Sequence, residues 1–155
     1  MESHHLEMTV LMTPDMANFS GNVHGGTLLK LLDQVAFACA SRYAGCYVVT
    51  LSVDQVLFRQ AIHVGELVTF LASVNHTGRS SMEVGIKVLA EDIPTRKQRH
   101  VNSCYFTMVA VEDGKPVGIP ELVLATDVQA RRHREAQARK SARLELSKQF
   151  AVASN

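Results

Sequence analysis

Apolar positions along this chain change period twice. From Leu6 to Met12 they fit a first strand, closed by the turn-prone Thr13-Pro14-Asp15. Phe19–Gly26 follows as a glycine-rich loop without a period. From Gly26 to about Tyr43 the spacing becomes helical. Leu28, Leu29, Leu31, Leu32, Val35, Ala36, Phe37 and Cys39 cover most of that helix's circumference. Thr27, Lys30, Gln34 and Ser41 form its one polar stripe, and Asp33 stands about 60° from the stripe's centre at 100° per residue. The pattern predicts a central, wrapped helix carrying a single acid.

After Gly45 the period is two. Tyr47, Val49, Leu51 and Val53 alternate with Thr50, Ser52 and Asp54, the pattern of a half-buried strand. Val68, Phe70, Ala72 and Val74 repeat the pattern, as do Met82, Val84, Ile86 and Val88. Val101–Val111 reads as a long strand apolar on both faces. Turn signals separate these runs at His63-Val64-Gly65, Thr77-Gly78-Arg79, Asp92–Arg96 and Asp113-Gly114-Lys115-Pro116. Four consecutive strands without a helical crossover predict an antiparallel sheet, and its simplest packing curls it around the apolar helix. Beyond Pro120, Asp127 is the expected N-cap of an Ala/Arg/Glu-rich helix ending near Phe150. Its apolar face is thin (Val128, Leu144, Leu146), so a peripheral appendage is expected.

Composition narrows the class. At 155 residues, 46% of them apolar, the chain suits one domain over 1–125 with a helical extension over 126–155. No signal peptide or spanning segment is recognisable, which predicts a cytoplasmic protein without membrane insertion. Net charge is only +1 but uneven: seven Arg/Lys against two Glu from Val128 to Phe150, nine against thirteen acids before it. The basic tail is expected to be a solvated face, with pairing to the acidic body inside an oligomer, or attraction of anions, as the other readings. Near-zero charge without aromatic-basic interleaving argues against nucleic acid. Cys39, Cys46 and Cys104 lack CxxC spacing and read as reduced core thiols, and no His/Cys/Asp cluster suggests a metal.

The candidate chemistry gathers in PDMANFSGNVHGGTLLKLLDQVAFACASR, residues 14–42. Gly25 and Gly26 stand where the helix begins, so its unpaired N–H groups face outward with no Cβ in the way. Such a terminus stabilises an oxyanion, and an acid nearby completes the minimum for attack on a carbonyl. Packing can also require the glycines, and Asp33 can instead pair with Lys30 or a first-turn backbone group. Asn18 suits a donor to water or a carbonyl oxygen, or a turn residue bonding its own backbone. His24 is a lone imidazole able to shape a pocket, and Asn22 reads as a loop former. A second constellation, Gly78-Arg79-Ser80-Ser81, joins a guanidinium, two hydroxyls and turn N–H groups, which suits a phosphate. Its plainer reading is a hairpin turn with an exposed Arg. Lys87 and Arg96–His100 are weaker candidates for the same anion.

The blocks NFSGNVHGG (18–26), LLKLLDQ (28–34), ASRY (40–43), VTLSVDQVLF (49–58), HTGRSSMEVGIKVLAE (76–91) and YFTMVAV (105–111) resemble, in this order, the hotdog-fold acyl-CoA thioesterases. The similarity is greatest to YciA-like bacterial enzymes and brain-type acyl-CoA hydrolases and runs from about Leu6 to Leu122. The resemblance implies an antiparallel sheet of five or six strands around a long central helix, with dimers as the active unit and hexamers as trimers of dimers. It implies acyl-CoA hydrolysis with no cofactor beyond the coenzyme A of substrate and product. Asp33 and Asn18 take the catalytic positions, each working with its counterpart from another subunit. Asp33 then activates water, or attacks directly to give an anhydride. His24, Gly25 and Gly26 contribute substrate and oxyanion contacts, and Arg79, Ser80 and Ser81 lie near the nucleotide part of coenzyme A. Two other readings remain at this stage. One is a hotdog-fold dehydratase or hydratase using His24 with Asp33; the other is a non-enzymatic acyl-CoA or nucleotide sensor.

Overall fold

Positive-φ glycines punctuate the chain at expected turns: Gly65 shortly before the strand that starts at Leu67, and Gly114 shortly after the strand that ends at Glu112. The structure, a computed structural model, describes residues 4–153. Strand β1 (His5–Leu11) is followed by a short 3-10 turn, then helix α1 (Gly25–Ala44). Strands β2 (Val48–Val53), β3 (Leu67–Thr77), β4 (Ser81–Asp92), β5 (Lys97–Glu112) and the short β6 (Lys115–Pro116) come next, and α2 (Asp127–Ala153) closes the chain. All pairings are antiparallel, in the order β1-β3-β4-β5-β2 with β6 on β5. This is the hotdog architecture, six strands holding one helix. Among the described residues no helix is long and apolar enough to cross a membrane.

Alternation explains the inner face. Val68, Phe70, Val84, Ile86, Phe106 and Met108 point inward and are buried, meeting Leu32, Val35, Ala36 and Cys39 of α1. Each large aliphatic or aromatic side chain buried this way contributes roughly 1.5–3 kcal/mol. Gly45, with φ +70°, ends α1 by donating its N–H to Ser41 O. Cys39 and Cys104 sit inside this core, and burial pushes both thiols up to about 12.

Two patterns resolve differently from the expectation. First, α1 is buried along one stripe only. Leu29, Asp33 and Phe37, four residues apart, form an open line on its other side, so Asp33 is exposed within one subunit. Second, the alternating apolar set of β2 does not face the core. Tyr47, Val49, Leu51 and Val53 are all exposed, with Leu51 at 67%. Val48 and Thr50 pair with the inward-facing Ala110 and Met108, and are the residues that look toward α1. The register slips between Thr50 and Ser52, leaving Leu51 as the extra residue of a bulge.

The C-terminal helix is docked on the sheet's outer face rather than solvated. Its buried Ala136 faces the sheet, and Arg139 grips the buried Glu83 through Nε and Nη2 at 2.9 and 2.7 Å. The Arg139 guanidinium also lies 3.6 Å above the Tyr105 ring. Arg143 Nη1 donates to Asp54 Oδ2 at 2.9 Å, just past β2. The basic tail thus neutralises the acidic body inside one subunit. Its N-cap is Thr126, not Asp127. Thr126 Oγ1 accepts from Gln129 N at 3.2 Å while Gln129 Oε1 accepts from Thr126 N at 3.2 Å, a reciprocal capping box.

Candidate active site

Asp33 is held by a hydroxyl rather than by a cation. Thr50 Oγ1 donates to Asp33 Oδ1 at 2.6 Å, joining α1 to the edge strand β2. Both residues line a shallow hollow with Gln34, Phe37, Tyr47, Val48 and Val49. Phe37 and Tyr47 pack edge to face there, 5.9 Å between ring centroids. A carboxylate flanked by aromatics on one side and open on the other can orient and deprotonate a water molecule. Sequence reasoning missed Thr50. The strict alternation of β2 set it among the outward polar positions, and no local pattern ties it to Asp33, 17 residues earlier.

Asn18 lines a separate hollow of about 290 Å³, together with Asn22, Gly25, Leu28 and Phe58. Its Oδ1 accepts from Ser20 N at 2.8 Å and Asn22 N at 3.1 Å, so the turn-forming reading of Asn18 is correct. That role does not exclude the other. Two N–H donors on one atom identify it as the oxygen, which leaves the amide's two Nδ2 hydrogens free for a ligand.

At the start of α1, His24 is the N-cap, and its Nδ1 accepts from Gly26 N at 2.9 Å. Gly26 N–H is therefore occupied, while Gly25 N–H has no acceptor among the described residues. The two glycines also differ sterically. A Cβ on Gly26 would stand 3.1 Å from His24 Nδ1, whereas one on Gly25 would meet only Phe58, at 3.9 Å. Packing explains Gly26 and leaves Gly25 for a ligand. Within one subunit His24 and Asp33 make separate contacts, His24 with Gly26 N and Asp33 with Thr50.

Arg79 and Ser80 lie in the β3–β4 turn and Ser81 begins β4; Arg79 is exposed and its carbonyl accepts from Ile119 N at 3.0 Å. They line neither of the two hollows. Of the weaker anion candidates, Lys87 is exposed on the outer face. Arg99 is committed: it pairs with Glu66, donates from Nη2 to Oε1 at 2.9 Å, and also holds Ala61 O. That guanidinium keeps the Glu66 carboxyl below the usual carboxylate range, against the opposing effect of burial. Among the described residues no three His, Cys, Asp or Glu side chains are close enough to hold a metal ion.

Against known proteins, the family model of the thioesterase superfamily matches residues 20–97, half of the chain, and this stretch runs from the Asn18 loop through β4. The chain belongs to the thioesterase superfamily. Within it, protein VdlD of Helicobacter pylori is 55% identical over 138 residues, 89% of this chain and 79% of that protein. An apo-hexameric acyl-CoA thioesterase shares 33% identity with a TM-score of 0.88, covering 92% of each chain. The acyl-CoA hydrolase of Staphylococcus aureus, solved with butyryl coenzyme A, coenzyme A and coenzyme A disulfide, shares 29% identity. Its TM-score is 0.83, over 97% of this chain and 95% of that one. Variants of that hydrolase with alanine for an asparagine, an aspartate and a threonine have also been solved.

Proposed function

We propose that this chain is an acyl-CoA thioesterase working as a homodimer, with Asp33 as general base. The observation that carries this is the Thr50–Asp33 hydrogen bond, made at an open, apolar surface. Asn18, Asp33 and Thr50 follow one another at intervals of fifteen and seventeen residues. The three residues replaced by alanine in the S. aureus hydrolase have the same spacing.

Asp33 takes a proton from water as the water oxygen attacks the thioester carbon. Thr50 holds one carboxylate oxygen and leaves the other for the water. Negative charge moves to the carbonyl oxygen, where the Asn18 amide and Gly25 N–H donate, one such donor being worth on the order of 100-fold in rate. Collapse breaks the C–S bond and releases a carboxylic acid and coenzyme A, whose thiolate takes the proton held by Asp33 and so restores the carboxylate. Asp33, Asn18, backbone donors and water supply every step, so no cofactor enters. His24 fixes the helix end that presents Gly25, and Arg79, Ser80 and Ser81 bind a phosphate of coenzyme A.

Within one subunit Asn18 and Asp33 line different hollows. Exposed apolar side chains of α1 (Leu29, Phe37) and of the edge strand β2 and its approach (Tyr47, Leu51) lie on the same open side as Asp33, and the outer edge of β2 has no strand partner among the described residues. Such an edge invites pairing. A second copy covers it and brings its own Asn18 to Asp33, and three such dimers make a hexamer.

The test is release of free thiol from butyryl-CoA and longer acyl-CoAs. Asp33→Ala and Asn18→Ala each lose activity while remaining folded. Mixing the two inactive variants through unfolding and refolding restores roughly a quarter of wild-type activity, because half the dimers are mixed and one of their two sites is intact. No recovery would show that each subunit builds its own site. Absence of thiol release by the wild type would refute the thioesterase reading itself.

A further inference from the structure

We propose that His63 is a positioning residue for Asn18, an inference that rests on the thioesterase reading above. His63 lines neither hollow. It reaches the site through a continuous set of hydrogen bonds. Its Nδ1 lies 2.9 Å from Asn22 Oδ1, and the two residues also form an isolated antiparallel bridge. Asn22 in turn holds Asn18 from both sides: Asn18 N donates to Asn22 O at 2.6 Å, and Asn22 N donates to Asn18 Oδ1 at 3.1 Å.

His63 is itself fixed from behind. Its N–H donates to Glu66 Oε1 at 2.7 Å, and Glu66 is buried and held by Arg99. A rigid base, Glu66 at the entry to β3 and Arg99 on β5, therefore extends through one imidazole to a loop that has no helix or strand of its own. Because an amide oxygen accepts only, the Nδ1 of His63 carries a proton in this contact. The contact needs a donor at that point, and an imidazole supplies it.

The chemical consequence concerns the amide's orientation. The Asn22 and Ser20 N–H groups pin Asn18 Oδ1 and turn its Nδ2 hydrogens toward the ligand. Should Asn22 loosen, the amide can rotate and present oxygen to a developing oxyanion, where it repels. Donors must be held to about 0.5 Å to act in the transition state, so a slack loop lowers kcat more than it raises KM.

The experiment compares steady-state thiol release for five proteins: wild type, His63→Ala, His63→Asn, Asn18→Ala and the double variant. His63→Ala is expected to lower kcat about tenfold with KM nearly unchanged. His63→Asn is expected to stay within about threefold of wild type, because its amide nitrogen can stand where Nδ1 stands. The double variant Asn18→Ala/His63→Ala is expected to be no slower than Asn18→Ala alone, since residues acting as a unit are not additive. Wild-type kcat in His63→Ala overturns the proposal, as does equal loss in His63→Asn. A further drop in the double variant overturns it too, and would be the mark of general unfolding. Wild-type hydrolysis is the separate control: without it the thioesterase reading fails, whatever the His63 variants do.

Discussion

Thr50 on the edge strand donates its hydroxyl to Asp33 on the central helix, oxygen to oxygen at 2.6 Å. A hydrogen bond to a charged group is worth about 1.5–3 kcal/mol. If it aligns the general base, Thr50→Val is expected to lower kcat by roughly 10- to 100-fold, while Thr50→Ser stays close to wild type. Melting temperatures of both variants, measured alongside, separate lost alignment from lost folding. Equal rates in the Val and Ser variants would count against this role.

Gly25 and Gly26 should separate rate from stability. A methyl group has room at Gly25, so Gly25→Ala is expected to fold with stability within about 0.5 kcal/mol of wild type. Its kcat/KM should still fall by at least about tenfold, because the methyl hinders approach to the Gly25 N–H. Gly26→Ala crowds His24 and weakens the cap, costing about 1 kcal/mol. Thermal melts run beside thiol-release assays decide both.

Glu66 and Arg99 predict acid sensitivity. Arg99 holds the Glu66 carboxyl below its ordinary 4.5, so folding favours the ionised form. A depressed folded value contributes stability that is complete above 4.5 and lost as pH falls through the folded value. Melting temperature should drop below that pH in the wild type and drop less in Glu66→Gln. At neutral pH, Arg99→Ala should cost roughly 2–4 kcal/mol; a wholly buried pair would cost more, but Arg99 keeps a third of its side chain exposed.

The docking of α2 should weaken on acidification. His76 of β3 stacks on His133 of α2, ring centroids 4.9 Å apart. Burial, and then the positive charge of His133 and Lys140, hold the His76 imidazole below its ordinary 6.5, with Glu83 opposing. The stability it contributes is present above 6.5 and lost as pH falls through the lower folded value. Hydrogen exchange of α2 amides, corrected for intrinsic rates, should quicken near pH 5 relative to pH 8. His76→Phe, which keeps a ring but not the proton, should remove most of that difference. An unchanged pH response in this variant would assign the effect elsewhere.

The inner sheet and α1 were legible because burial enforces period. Phe70, Val84 and Ile86 each sit where alternation places them. Periodicity failed on β2 for two physical reasons. An edge strand whose outer side is apolar looks like one whose inner side is, and the bulge at Leu51 breaks parity within six residues. The docking of α2 was hidden because its grip is polar. Arg139 and Arg143 showed as tail charge, and nothing in the linear sequence marked Glu83 and Asp54 as their partners. At the site, Asn18, Gly25 and Asp33 were chosen from residue type together with the family resemblance. Thr50 and His63 act through contacts across 17 and 41 residues, which no local window spans.

The slip at Leu51 divides β2 into two halves of opposite phase. Upstream, even-numbered residues look toward α1, so Thr50 meets Asp33; downstream, Val53 pairs with the inward-facing Phe106 instead. Residue count is therefore rigid on one side and lax on the other. A single insertion between Val48 and Thr50 would swing the hydroxyl to the outer face, whereas one in the loop after Val53 would leave its aim untouched.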